Sequence, residues 1–113
     1  MKVVIIGNTG FIGNSIYNYL GKTKEYDLIG ISKNEIDLSG EKNSIALSKY
    51  LTADCIVVMC AGVKKQLGDN LSTFESNSAI INNFCRAISL VPPKKIIFFI
   101  QMLLFIQMYF YIF

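Results

Sequence analysis

The run Val3-Val4-Ile5-Ile6 passes directly into Gly7-Asn8-Thr9-Gly10-Phe11-Ile12-Gly13, and Ile12, Ile16 and Leu20 then recur at helical spacing. The pattern predicts a buried strand, a glycine turn and an amphipathic helix, with Gly21 placed to stop that helix. Glycine lets the backbone turn sharply and approach a phosphate closely, while the helix start offers N–H donors and the positive end of its dipole. A dinucleotide pyrophosphate fits there. A P-loop does not, because five residues rather than four separate Gly7 from Gly13 and no lysine follows.

The remaining pattern alternates strands and helices. A second strand is expected over Tyr26–Ile31. A brief third is expected over Glu35-Ile36-Asp37-Leu38, reached without an intervening helix. Ser39-Gly40-Glu41 can open a helix reaching Leu51, and Cys55-Ile56-Val57-Val58-Met59-Cys60 is the clearest buried strand, expected beside the first. Ser72-Thr73-Phe74-Glu75 reads as a capping box before a long helix with Ile81, Phe84, Cys85 and Ile88 on one face. Pro92-Pro93 follows that helix, and Ile96–Ile100 is expected as a fifth strand. The fold class is therefore α/β, a doubly wound parallel sheet of the Rossmann kind, truncated after about the fifth strand.

At 113 residues the chain holds one domain at most. Its net charge of +3 comes from scattered lysines, so nucleic acid is not an expected partner. With no histidine and no C-x-x-C among three cysteines, neither a metal site nor a histidine base is expected. The apolar run that holds two of the cysteines and the short N-terminal apolar run point to a reducing, cytoplasmic location.

Over residues 1–100 the chain resembles the NAD-dependent epimerase/dehydratase family, the extended short-chain dehydrogenases/reductases. The resemblance rests on Gly7-x-x-Gly10-x-x-Gly13, the Asp37-Leu38 pair, the strand ending Cys60-Ala61-Gly62, and Asn77 in the following helix. The short path to Asp37-Leu38 is similar to the dehydrorhamnose reductase branch. The resemblance implies that the Phe11 and Ile12 backbones hold pyrophosphate, Asp37 and Leu38 meet adenine, and Ala61, Gly62 and Val63 line the nicotinamide ribose. Gly7, Thr9, Gly10, Gly13, Ser32, Lys33 and Asn77 complete the expected cofactor-binding set.

Ser32-Lys33 stands where an acid would accept from the ribose 2′-hydroxyl, and a hydroxyl with a cation suits a 2′-phosphate. NADP(H) is therefore expected over NAD(H). On the alternative reading Lys33 is a solvated loop lysine and Asp37 alone recognises adenosine. Asp37 before Ser39-Gly40 also fits an ordinary turn or cap, Asn77 a structural hydrogen bond, and Cys60 simple packing.

The family's chemistry uses a tyrosine with a lysine four residues later. None of the six tyrosines has one, so no catalytic residue is assigned and a nucleotide-sugar substrate is expected only for a full-length form. Residues 1–100 are expected to form an incomplete NAD(P)-binding domain and residues 101–113 an aberrant apolar tail. Its uncharged Phe, Ile, Tyr, Leu, Met and Gln composition is what an A/T-rich gene gives out of frame, so a frameshift or premature end is expected. The alternative is a membrane tail anchor over 96–113 behind Lys94-Lys95, although the run falls short of the ~20 residues of a comfortable span. The alternative function is a non-catalytic NAD(P)-binding or sensor module, with or without such an anchor.

Overall fold

The computed structural model describes residues 1–40, 43–62 and 71–99. Val63 and the 101–113 tail lie outside the described residues. Among the described residues four parallel strands and three helices alternate. They are β1 (Lys2–Ile6), α1 (Phe11–Thr23), β2 (Asp27–Ile31), α2 (Asn43–Ser48), β3 (Ile56–Met59), α3 (Leu71–Leu90) and β4 (Lys95–Phe98). The sheet order is β2-β1-β3-β4, with Ile5 opposite both Gly30 and Val58. The Rossmann-like fold class and the pairing of the Cys55–Cys60 segment with the first strand both hold.

Parallel strands covered on both faces need apolar side chains at every position, and Val3 through Ile6 are all buried. Alternation sends them into two cores. Val4, Ile6, Val57 and Met59 pack with Leu47, Ile80, Phe84 and Ala87 of α2 and α3. Val3, Ile5 and Val58 meet Ile16, Tyr17 and Leu20 of α1 on the other face.

Several local expectations are corrected. Glu35–Leu38 is a turn and loop rather than a strand, because Glu35 and Ile36 both donate backbone bonds to the Ser32 carbonyl at 3.1 Å. A backbone folded back on itself has no donors left to form a ladder. Gly21 lies inside α1, which runs to Thr23 and is closed by Lys24 in the left-handed region at φ 55°. Ser39 caps no helix, since its N–H and hydroxyl donate to Asp37 Oδ1 at 3.0 and 2.5 Å and Gly40 after it is not helical; the first described residue of α2 is Asn43. Ser72 stands within α3, whose first described residue is Leu71. The buried stripe of α3 is Ile80, Asn83, Phe84 and Ala87, one residue out of phase with the expected face, and Ile81 and Cys85 are exposed.

Among the described residues no helix is long and apolar enough to cross a membrane. At the sheet edge, β4 pairs in register with β3, and the Phe98 ring meets Phe84 at 5.9 Å between centroids.

Candidate functional site

The chain moves from β1 outward to β2, then returns past β1 to β3, so the carboxyl ends of β1 and β3 diverge into a crevice at this reversal of strand order. The turn after β1 forms its floor. Gly7 N–H donates to the Ile31 carbonyl at 2.7 Å, and Cys60 N–H donates to the Ile6 carbonyl at 2.8 Å. The end of β1 is thus tied to both neighbouring strands. Gly10 N–H donates back to the Gly7 carbonyl at 3.1 Å, and Asn14 N–H to the Gly10 carbonyl at 2.8 Å, starting α1.

The three glycines differ in what constrains them. Gly7 has φ +85°, and a Cβ there would sit 2.8 Å from Ala61 N. At Gly13, buried beneath the turn, a Cβ would fall 2.0 Å from the Gly7 carbonyl oxygen. Both are required by the fold. Gly10 is not: its φ of −74° and ψ of 171° suit any residue, and the nearest atom to an added Cβ is Gly7 O at an ordinary 3.5 Å. Gly10 is also the N-cap of α1 and has no side-chain cap, so no protein oxygen from a capping side chain occupies the helix start.

The open cleft above this turn has a volume of about 200 Å³, below the roughly 300–1,000 Å³ of pockets that enclose a whole drug-sized ligand. Its lining suits one end of a longer ligand. Gly7, Thr9 and Gly10 come from the turn, Ser32, Lys33, Asp37 and Leu38 from the segment after β2, and Ala61 and Gly62 from the end of β3. Nine of the residues singled out in the sequence therefore converge. Phe11 and Ile12 occupy the first turn of α1 with side chains 81% and 43% exposed, leaving their backbone as the part that faces the helix start. Asn77 is half-buried on α3 and is not in the lining, whereas its neighbour Ser76 is.

The segment from Ser32 to Gly40 is held by two carboxylate clasps. Glu35 Oε2 accepts from Ser32 N–H at 2.7 Å and from the Ser32 hydroxyl, while Asn34 N–H donates to Ser32 Oγ at 3.2 Å. The Ser32 hydroxyl, and then its N–H, hold the Glu35 carboxyl below its ordinary value. The Ser39 hydroxyl lowers Asp37 in the same way, against partial burial, with the Ser39 N–H and the charge of Lys33 assisting. At the opposite wall, burial pushes the Cys60 thiol up, which fits packing and not a thiolate nucleophile.

Two residues escaped the sequence reading. Asn83, buried in α3, donates through Nδ2 to the Leu38 and Gly40 carbonyls at 2.6 and 2.9 Å, fastening the Asp37–Leu38 segment from 43–45 residues away. Its signal was present as a polar residue between Ile80 and Ala87, visible only once the helix phase is right. Glu35 gave no local signal, since its clasp depends on the turn closing onto Ser32. A third detail lies at Gly30, where a Cβ would collide with the Asn8 amide and the Tyr17 ring, so the side chain of Asn8 packs over β2.

Comparison with known proteins gives a family and a fold. The family model described as NAD dependent epimerase/dehydratase family matches residues 3–100. No curated protein matches. Among solved structures, one titled "Crystal structure of a small-chain dehydrogenase" is similar, with a TM-score of 0.59 and 17% identity over 79% of this chain. At that identity the likeness is one of fold, and this chain spans 50% of that one.

Proposed function

The chain belongs to the NAD dependent epimerase/dehydratase family, and from that premise we propose that its cleft holds the pyrophosphate and adenosine portion of a nicotinamide dinucleotide. Gly10 is the observation that carries this reading. The fold leaves room for a side chain there, so the bare backbone at the helix start has its use in the approach of a ligand. Around it, the N–H groups of the first turn of α1 suit a diphosphate. Asp37 and Leu38 suit adenine, and Ala61, Gly62 and Val63 the nicotinamide ribose. A bound dinucleotide supplies hydride transfer. This chain's residues bind it and orient it.

The finer readings rest on the same residues. The helix-free path from β2 to Asp37-Leu38 supports a dehydrorhamnose-reductase-like branch, and hence nucleotide-sugar reduction, epimerisation or dehydration in a longer protein. Residues 1–100 serve as the nucleotide-binding unit, and the three free cysteines suit the cytoplasm. A second reading, a binding or sensor module without turnover, is favoured by the lack of any tyrosine with a lysine four residues on. The NADP(H) form was expected from Ser32 and Lys33. Ser32 is already engaged by Glu35, which bears on that choice.

Titration of the 113-residue chain with NADH and NADPH tests the reading. Saturable binding is expected for at least one of them. Gly10→Ala should fold with nearly unchanged stability, whereas Gly10→Val should lose about tenfold or more in affinity as the branched side chain fills the phosphate approach. Absence of binding by a folded sample at millimolar nucleotide would defeat the proposal, and so would undiminished binding by Gly10→Val.

A further inference from the structure

Resting on the nucleotide reading above, we propose that Asn8 is a positioning residue, whose side-chain amide lies on the bare backbone of Gly30 and holds the turn after β1 in place before a nucleotide arrives. Few side chains are available for that task. From Gly7 to Gly13 three residues are glycine, Thr9 is exposed, and the Phe11 and Ile12 side chains stand 81% and 43% exposed. Among these described residues Asn8 alone seats a side chain on the sheet. A Cβ added to Gly30 would lie 2.7 Å from Asn8 Cγ, closer still to Nδ2, and 2.9 Å from Tyr17 Cε2. The amide therefore fills the space of the missing side chain, with the Tyr17 ring beside it. Gly30 pairs with Ile5 in the sheet, and the next residue, Ile31, accepts the Gly7 N–H at 2.7 Å. Two consecutive turn residues thus rest on two consecutive residues of β2.

Hydrogen bonding does not account for the amide. Asn8 Oδ1 is buried and accepts no hydrogen bond, the one such side-chain atom among the described residues. Asn43 and Asn83, by contrast, both donate to carbonyls of the Asp37–Gly40 segment. An enclosed acceptor without a donor weakens a fold, so its presence in this turn points to a use other than stability. Shape supplies one. A planar amide is thin enough to lie flat against backbone, whereas a branched leucine of similar length is not. A glycine-rich loop left free has to lose conformational freedom when a ligand arrives, and that ordering weakens binding. A turn already seated on β2 avoids the loss.

The test is a double-mutant cycle of Asn8→Ala and Gly30→Ala in the 113-residue chain, reading melting temperature and the dissociation constant of whichever of NADH and NADPH binds more tightly. Asn8→Ala removes an unsatisfied acceptor along with its packing, so it should melt within a few degrees of the parent, yet bind nucleotide about three- to tenfold more weakly. Gly30→Ala displaces the amide and should weaken binding by about tenfold. In the Asn8→Ala background, where Cγ and Nδ2 are gone, the same change should weaken it by less than about threefold. A merely structural contact would couple the two sites in melting temperature and leave the dissociation constants of the folded variants alone. The inference is overturned if folded Asn8→Ala binds like the parent, or if the two substitutions act additively on affinity. If the parent binds neither nucleotide, the nucleotide reading itself has failed, and this one falls with it.

Discussion

At Gly13 a methyl group would meet a backbone oxygen 2.0 Å away, and no rotamer can relieve that because the obstacle is the turn itself. Gly13→Ala should therefore destabilise the chain by about 1–3 kcal/mol, in contrast to a near-neutral Gly10→Ala, as read from chemical denaturation of the two variants side by side. Lys24 poses the opposite case. It closes α1 at φ 55°, where a Cβ crowds the following carbonyl, so Lys24→Gly should raise stability by about 0.5–1 kcal/mol despite the added flexibility of the unfolded chain. An unchanged or lower melting temperature would contradict it. The sequence displays three glycines in one motif, but their separate reasons appear only when the neighbours of each missing Cβ are known. Gly21 looked like the stop for the same helix and is not, because the helix continues to Thr23 and the left-handed closing residue is Lys24.

Helix α3 and the Ser32–Gly40 segment operate as a pair joined by Asn83. Asn83→Ala would strip two carbonyls of their buried donor, and a loss of about 2 kcal/mol is expected, with weaker nucleotide binding because the Asp37–Leu38 segment loses its fastening. Equal stability of parent and variant in urea would show the bonds to be dispensable. The same segment contributes to the acid response. Carboxyls of Glu35, Asp37 and Asp54 are each held low, chiefly by the hydroxyls of Ser32, Ser39 and Thr52. Since the folded values lie below the unfolded ones, the unfolded chain takes up protons first, so their contribution is complete above about pH 4.5 and declines as pH falls through the folded values. With no histidine in the chain, denaturation midpoints should stay level between about pH 5.5 and 8, and Asp37→Asn should flatten the acid decline. Periodicity located α3 and its proline-bounded end. Its phase was misjudged because Ile81 and Cys85 are apolar yet face solvent, while the polar Asn83 faces inward.

Over the whole molecule, apolar runs made the first and third paired strands and their adjacency legible, since a segment such as Val57-Val58-Met59 has no solvent face to spare. The far edge is different. Among the described residues β4 stands at the end of the strand order, and its Ile96, Ile97 and Phe98 are each about 41–42% exposed. Such an edge is a template for pairing between chains. The chain should therefore self-associate, and Ile97→Lys, on the α1 face in register with Val58, should reduce association in light scattering with little loss of stability. Persistence of association at the parent's level would assign it elsewhere. The central position of β1 has a further consequence during synthesis. This strand leaves the ribosome before its β3 partner, which comes roughly fifty residues later. At about 5–20 residues per second, an apolar segment waits for about 3–10 s without the neighbour that covers it, so the nascent chain should be a client for chaperones that hold exposed strands.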